Sequence, residues 1–347
     1  MSSSPAADPP PGDLATGRLT DWLAREAPGL APPVSASLIT GGRSNLTYII
    51  GCADGGRIVL RRPPGGTRSG GAHDVLREYR ILTALHGTDV PVPAPLAACD
   101  DPDVIGAPFY LMDYVDGEVL DSVQRAQAWR PAQRWHLGMD LITILARMHA
   151  LVPAEHGLGS LSPPGNYAER QFHRWSRQWD GYRTRDLPAL AEAGRLLRAA
   201  LPGPVPAALV HQDYRLGNVI VGPGTIRAVL DWELAVLGDP VADLGYLGAR
   251  IAAPAAVLAP HGEPLSLPGF PSLDQLIEGY ERARGRPVRG LGFHRALAAW
   301  RWTVIAEGIY LRFQAGAMGA QEADLGFLRD RVETLAEFTL QCARGLD

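Results

Sequence analysis

The chain has 347 residues, 46% of them hydrophobic and 20% charged, which is apolar material for a sizeable core spread over two lobes. Its 39 glycines and 30 prolines fall between periodic segments and form no repeat, which excludes collagen and wholesale disorder. Lysine is absent, so a P-loop lysine, a Schiff base and a Ser-Lys dyad are all excluded.

A formal net charge of −4 offers no basic footprint for nucleic acid. Cys52, Cys99 and Cys342 are odd in number and far apart, matching neither a disulfide framework nor a zinc ligand set, and read as reduced thiols of a cytoplasmic protein. Residues 1–12 are Ser-, Pro- and Ala-rich and read as a disordered tail without the basic start and apolar run of a signal peptide. No window holds the roughly 18 uncharged apolar residues of a membrane span, so no membrane is expected, and no protein partner is evident in the sequence.

In chain order, Leu14 to Ala27 places Leu14, Leu19, Trp22 and Leu23 at helical spacing. Strand character follows at Val34 to Ile39, Leu46 to Ile50 and Arg57 to Leu60, joined by Gly41-Gly42 and by Asp54-Gly55-Gly56. A helix is expected over His73 to His86, and Leu96 to Ala98 and Phe109 to Val115 complete a sheet of about five strands.

Beyond Gly117 the texture becomes helical: Trp135 to Leu151, Tyr167 to Tyr182, Leu187 to Leu201, Leu273 to Arg284, Gly292 to Ala317 and Ala320 to Leu346. Two short apolar runs interrupt them. Ala208 to Val210 ends at His211-Gln212-Asp213, and Ala228 to Leu230 ends at Asp231-Trp232-Glu233. The proline-rich stretch Pro254 to Pro271 reads as loop or lid.

The chain lacks G-x-S-x-G, H-E-x-x-H, C-x-x-C and G-x-G-x-x-G, which removes common hydrolase and dehydrogenase readings. What remains is His211-Gln212-Asp213 with Asn218 five residues on, the H-x-D-x-x-x-x-N spacing of a kinase catalytic loop. Phosphoryl transfer needs a carboxylate to take the proton of the attacking hydroxyl and hard oxygen ligands for magnesium. Asp213 suits the first need, Asn218 and Asp231 the second. Alone, H-x-D is more often a turn whose Asp and Asn cap local backbone; the second apolar run ending in Asp231 tips the balance.

The same template requires groups upstream. Gly41, Gly42, Ser44 and Asn45, between two strands, have the small residues that let backbone N–H groups approach phosphate, although any hairpin can carry glycines. Val59 and Arg61 share a strand face, with Arg61 where V-A-I-K has its lysine. Glu78, on the next helix, is the natural partner that keeps this cation on the nucleotide; the alternative for both is a solvated surface charge.

With these parts in order, the chain resembles the aminoglycoside phosphotransferase and choline kinase-like superfamily, small-molecule relatives of the protein kinases, from about Leu38 to Leu247. Gly-Gly-Arg-Ser-Asn-Leu-Thr-Tyr (41–48), Val-Leu-Arg-Arg-Pro-Pro-Gly (59–65), Arg-Glu-Tyr (77–79), Phe-Tyr-Leu-Met-Asp-Tyr-Val-Asp-Gly (109–117) and Val-Leu-Asp-Trp-Glu-Leu-Ala-Val-Leu-Gly-Asp-Pro (229–240) resemble the branch related to the kinase-like domain fused to some eukaryotic acyl-CoA dehydrogenases. The resemblance implies an α+β, bilobal, protein-kinase-like fold. A small nucleotide-binding lobe (13–115) would carry an antiparallel sheet of about five strands plus a helix, and a larger, mainly helical lobe (116–347) the catalytic loop and substrate helices. It also implies ATP and Mg2+ as cofactors, Met112 as gatekeeper, the Asp113 carbonyl and Val115 N–H on the adenine edge, Asp213 as base, and Asn218 and Asp231 as magnesium ligands. Many members carry arginine at the position of Arg61. Members often read His-Gly-Asp, from which Gln212 departs. Asp239 and Asp243 resemble structural carboxylates behind the loop, whereas their own sequence context reads as helix capping.

The expected activity is ATP- and magnesium-dependent phosphorylation of a small-molecule hydroxyl. After Gly117 there are 24 acidic residues and 24 arginines, so no carboxylate excess marks a polycation site. Tyr167 to Arg185 interleaves Phe172, Trp175, Trp179 and Tyr182, a helical stripe best read as core, with Arg170, Arg174, Arg177, Arg183 and Arg185, which either face solvent or bind an anion. The acceptor expected is neutral or anionic, a class that includes hydroxyacyl thioesters. The alternatives are an antibiotic phosphotransferase conferring resistance and a nucleotide-binding pseudokinase.

Overall fold

Apolar periodicities of two and of three to four residues divide the chain into strands and helices, and the computed structural model describes residues 17–39, 45–64, 74–163, 165–316 and 323–346. Up to residue 118 the elements are α1 (Arg18–Glu26), β1 (Pro33–Leu38), β2 (Leu46–Cys52), β3 (Arg57–Arg62), α2 (Val75–Leu85), β4 (Pro95–Cys99) and β5 (Phe109–Asp113). Next come α3 (Val123–Gln127), α4 (Pro131–Ala150), α5 (Tyr167–Tyr182), α6 (Pro188–Ala199), β6 (Ala208–Val210), β7 (Val219–Gly222), β8 (Thr225–Val229) and β9 (Val236–Gly238). The remainder is helical: α7 (Val241–Ala252), α8 (Ala255–Leu258), α9 (Leu273–Arg284), α10 (Leu291–Gln314) and α11 (Leu325–Arg344).

Two compact units result. The first runs up to Glu118 and takes in Ile220–Gly222 and Ile226–Leu234; the second comprises Val119–Val219, Pro223–Thr225 and the chain from Ala235 onward. In the first unit β1–β5 form one sheet in the order β1-β2-β3-β5-β4 with every pair antiparallel. β3 buries Ile58, Val59 and Leu60 in succession, as a strand covered on both faces does. α1 buries Leu19, Trp22 and Leu23 at i, i+3 and i+4, and Trp22 meets the ring of Phe109 edge-on at 5.0 Å. Each such side chain removed from water contributes about 2 kcal/mol. Asp74 caps α2 by accepting from the Arg77 N–H at 2.9 Å. Along that helix Val75, Glu78, Leu82 and Leu85 form one buried stripe, so an ionisable group sits among apolar ones and requires a partner.

The second unit is built around α10. The expected aromatic stripe of α5 is core: Phe172, Trp175 and Trp179 are buried with Leu190, Ala193 and Leu197 of α6 and Phe293, Leu297 and Trp300 of α10. Close approach of α7 to α10 depends on Gly245, where a Cβ would fall 2.5 Å from His294. α7 has no counterpart in the sequence expectations. It is buried from Asp243 through Ala249, and its two glycines, 245 and 248, weaken the local helical signal.

The proline-rich stretch is fastened, not loose. The His261 carbonyl accepts from the Val123 N–H at 2.9 Å, Arg134 donates to the Pro268 carbonyl at 2.7 Å, and Val257, Leu265 and Phe270 are buried. Among the described residues no helix is long and apolar enough to cross a membrane.

Candidate active site

In the first unit, strand register determines which side chains meet. Arg61 on β3 lies opposite Thr47 of β2 and Tyr110 of β5, and its Nε is 3.0 Å from Oε2 of Glu78. The other end of the guanidinium, Nη2, is 2.7 Å from Asp231 Oδ1 and 3.5 Å from Glu233 Oε2. Three carboxylates therefore surround one cation. Burial opposes the Arg61 charge, but Glu78, Tyr110, Asp231 and Glu233 outweigh it and hold the guanidinium above its ordinary value. Burial pushes the Glu78 carboxyl up, with Arg61 and the Trp232 N–H, which donates to Glu78 Oε1 at 3.2 Å, acting against it.

Asp231 has a left-handed backbone (φ 66°) at the end of the β8 segment, a conformation costing an L-residue about 1 kcal/mol. The turn is held by its neighbours. The Trp232 indole donates to the Val229 carbonyl at 3.1 Å, and Arg77 donates to the Glu233 carbonyl at 3.2 Å. Asn45 is buried and its Nδ2 donates to Glu233 Oε2 at 3.2 Å. Glu233 is thus a member of this cluster that the sequence reading passed over; the polar run Asp231-Trp232-Glu233 was the available signal. Met112 is buried on β5 opposite Val59 and Pro95, Asp113 is exposed with its N–H donated to the Ala94 carbonyl at 2.9 Å, and Val115 follows half-buried. Gly41, Gly42 and Ser44 lie outside the described residues.

In the second unit, β6 delivers the loop His211-Gln212-Asp213. Asp243 of α7 receives its backbone: Oδ2 accepts from the His211 N–H at 2.8 Å and Oδ1 from the Gln212 N–H at 2.7 Å. His149 Nε2 also lies 3.2 Å from Asp243 Oδ2, and Tyr280 lies 2.8 Å from His149 Nδ1. The capping reading of Asp243 is therefore corrected: the carboxylate reaches across to residues 32 and 31 positions earlier, because α7 is buried and points it inward. Asp239 does cap, accepting from the Val241 N–H at 2.9 Å, and also binds His294 Nε2 at 2.9 Å.

Gln212 has φ 68°, and Arg301 Nη1 donates to its carbonyl at 3.0 Å. This left-handed turn explains why glycine suits the position. The turn presents the Asp213 carboxylate, whose Oδ2 accepts from Asn218 Nδ2 at 2.7 Å and whose Oδ1 accepts from the Tyr246 hydroxyl. Arg215 Nε is 3.5 Å from Oδ1. Burial works against the Asp213 charge, but Arg215, Tyr246, His211 and Arg301 together hold its carboxyl below the ordinary value. Tyr246 and Arg301 carried no sequence signal of this role, whereas Asp243 stands behind the loop as the family resemblance implied.

Magnesium fits the donor types present. Asn218 directs its Nδ2 to both the Asp213 carboxylate and the Asp213 carbonyl, which fixes the amide and leaves Oδ1 as a hard oxygen; Asp231 contributes a carboxylate. Among the described residues no group of three or more His, Cys, Asp or Glu could hold a metal by itself. Each residue, taken within its own unit, offers one hard oxygen of the type magnesium takes.

A mixed α+β chain with a five-stranded antiparallel sheet, an Arg–Glu pair between sheet and helix, and a loop presenting an Asp and an Asn defines a kinase-like phosphotransferase. The family model of the phosphotransferase enzyme family matches residues 35–295, and the chain belongs to that family. A crystal structure from Ralstonia eutropha JMP134, provisionally described as an aminoglycoside phosphotransferase, is 32% identical with a TM-score of 0.81, covering 95% of this chain and 98% of that one. Acyl-CoA dehydrogenase family member 11 of Gallus gallus is 34% identical over 344 residues, 95% of this chain and 44% of the relative. The chain spans 28% and 44% of the two curated relatives that head the comparison. The GDP complex of aminoglycoside 2'-phosphotransferase-IIIa shares the fold at 16% identity, with a TM-score of 0.61 over 94% of this chain and 99% of that one.

Proposed function

We propose that the protein is an ATP- and magnesium-dependent O-phosphotransferase acting on a hydroxyl of a small molecule. The observation that carries this reading is the Asp213 carboxylate, turned by Asn218 and Tyr246 and kept ionised among cations. In the proposed reaction Asp213 Oδ accepts the proton of the attacking hydroxyl as the γ-phosphoryl group moves to that oxygen and ADP leaves. Arg61, held by Glu78, neutralises phosphate charge, while Met112, Asp113 and Val115 border the adenine and Gly41, Gly42, Ser44 and Asn45 cover the phosphates. Asn218 and Asp231 are the residues that would hold magnesium, which would supply neutralisation of charge on the transferring phosphates. A relative of the same fold has been solved with GDP, which supports nucleotide binding.

Arg215 and Arg301 beside Asp213 favour a neutral or anionic acceptor, the class that includes hydroxyacyl thioesters, over a polycationic aminoglycoside. The antibiotic reading has its support in the Ralstonia relative's provisional description. The deciding experiment incubates the protein with ATP, magnesium and a metabolite extract and identifies by mass which compound gains a phosphoryl group. Asp213→Ala should bind nucleotide and lose most turnover; transfer confined to aminoglycosides refutes the neutral or anionic acceptor, and turnover undiminished in that variant refutes Asp213 as base.

A further inference from the structure

Arg174 of α5 and Arg301 of α10 both lie over the indole of Trp175, their guanidinium carbons 5.2 and 5.5 Å from the ring centroid. Neither has a carboxylate partner among the described residues. Burial, and after it the like charge of Arg301, holds Arg174 below its ordinary value. Asp213 offsets part of the Arg301 charge, but no carboxylate pairs with Arg174, and a negative ligand relieves the repulsion between the two guanidiniums.

A pocket adjoins Arg301. Tyr167, Gln171, Trp175, Gln212, His294 and Arg301 line it, and Gln212 immediately precedes the proposed base. His294 is 3% exposed, and its Nε2 donates to Asp239. Arg301 commits Nη1 to the Gln212 carbonyl, while its Nε is buried without a hydrogen-bond partner. Unsatisfied buried polar atoms are costly unless a ligand or water completes them.

We propose that Arg174, Arg301 and the polar wall of this pocket form an oxyanion subsite that receives a carboxylate or phosphate group carried by the acceptor. The proposal rests on the phosphotransferase reading for the word acceptor, but not for the binding itself. Arginine forks suit such groups because two N–H donors match two oxygens. The acceptor is then an alcohol with an anionic arm, the arm at Arg174 and Arg301 and the hydroxyl at Asp213.

The test is a calorimetric titration of the full chain, in an anion-poor buffer, with inorganic phosphate and separately with propionate. Arg174 is exposed, so Arg174→Gln preserves the fold; Arg177→Gln, an exposed arginine on the same helix, controls for net charge. Arg174→Gln and Arg301→Gln should each weaken binding roughly 10-fold, Arg174→Lys should restore part, and Arg177→Gln should change little. An effect on phosphate alone assigns a phosphate arm, on propionate alone a carboxylate arm. The proposal is overturned if neither probe binds, or if Arg177→Gln weakens binding as much as Arg174→Gln does. Anion binding without phosphoryl transfer to any metabolite would sink the proposed reaction and leave the subsite standing.

Discussion

The hydroxyl of Tyr246 donates to Oδ1 of Asp213, tying the carboxylate of the β6 loop to helix α7. Tyr246 is itself held. Its ring meets Trp302 edge-on at 5.5 Å, and Arg250 lies 6.0 Å from both rings while pairing with Glu263 at 2.5 Å. Glu263 belongs to the proline-rich stretch, so that stretch supports the side chain that turns Asp213.

Tyr246→Phe keeps the ring and deletes the donor. Turnover should fall about 10-fold with the nucleotide KM within about twofold, and stability should drop by about 1 kcal/mol. Steady-state kinetics and thermal unfolding measure both. Glu263→Gln should act in the same direction more weakly; wild-type turnover in Tyr246→Phe would remove Tyr246 from any positioning role.

Arg61→Ala leaves Glu78, Asp231 and Glu233 without their shared cation. Because Glu78 is buried, the loss should be about 3 kcal/mol, read as a lowered denaturation midpoint. Arg61→Lys keeps the charge and loses the fork, so it should fall between the two. Adding Glu78→Gln to Arg61→Ala should recover part of the deficit; strict additivity of the two changes would show that the pair is not coupled.

Gln212→Gly should fold within about 1 kcal/mol of the parent, since relief of the left-handed strain offsets the extra freedom glycine has when unfolded. Gln212→Val, branched at Cβ, should cost roughly 1–2 kcal/mol more. Urea denaturation distinguishes them, and equal stabilities would show that the turn relaxes.

Asp239 yields a pH dependence. Burial pushes its carboxyl up, but His294, which donates to it, and the Val241 N–H hold it lower than an ordinary aspartate. The unfolded chain therefore binds this proton first on acidification. Its contribution is complete above the ordinary value of about 3.9 and disappears as pH falls through the lower folded value. Denaturation midpoints from about pH 6 to about pH 3 should fall less steeply for Asp239→Asn than for the parent; parallel curves would contradict the assignment.

Local pattern alone determined much of this protein. The bounds of α5, α9 and β6 coincide with the sequence expectations because apolar spacing and flanking breakers are properties of neighbouring residues. The same holds for Arg61 and Glu78, which lie on a strand and the helix that follows it, whereas the contact of Arg61 with Asp231 spans 170 residues. The tertiary structure decided the rest. The glycines of α7 hid that helix, and Asp243, Tyr246 and Arg301 acquire their tasks at the His211–Asp213 loop from contacts spanning 31 to 89 residues. Such contacts arise when helices pack, and no local spacing encodes which buried carboxylate, phenol or guanidinium will face a given turn.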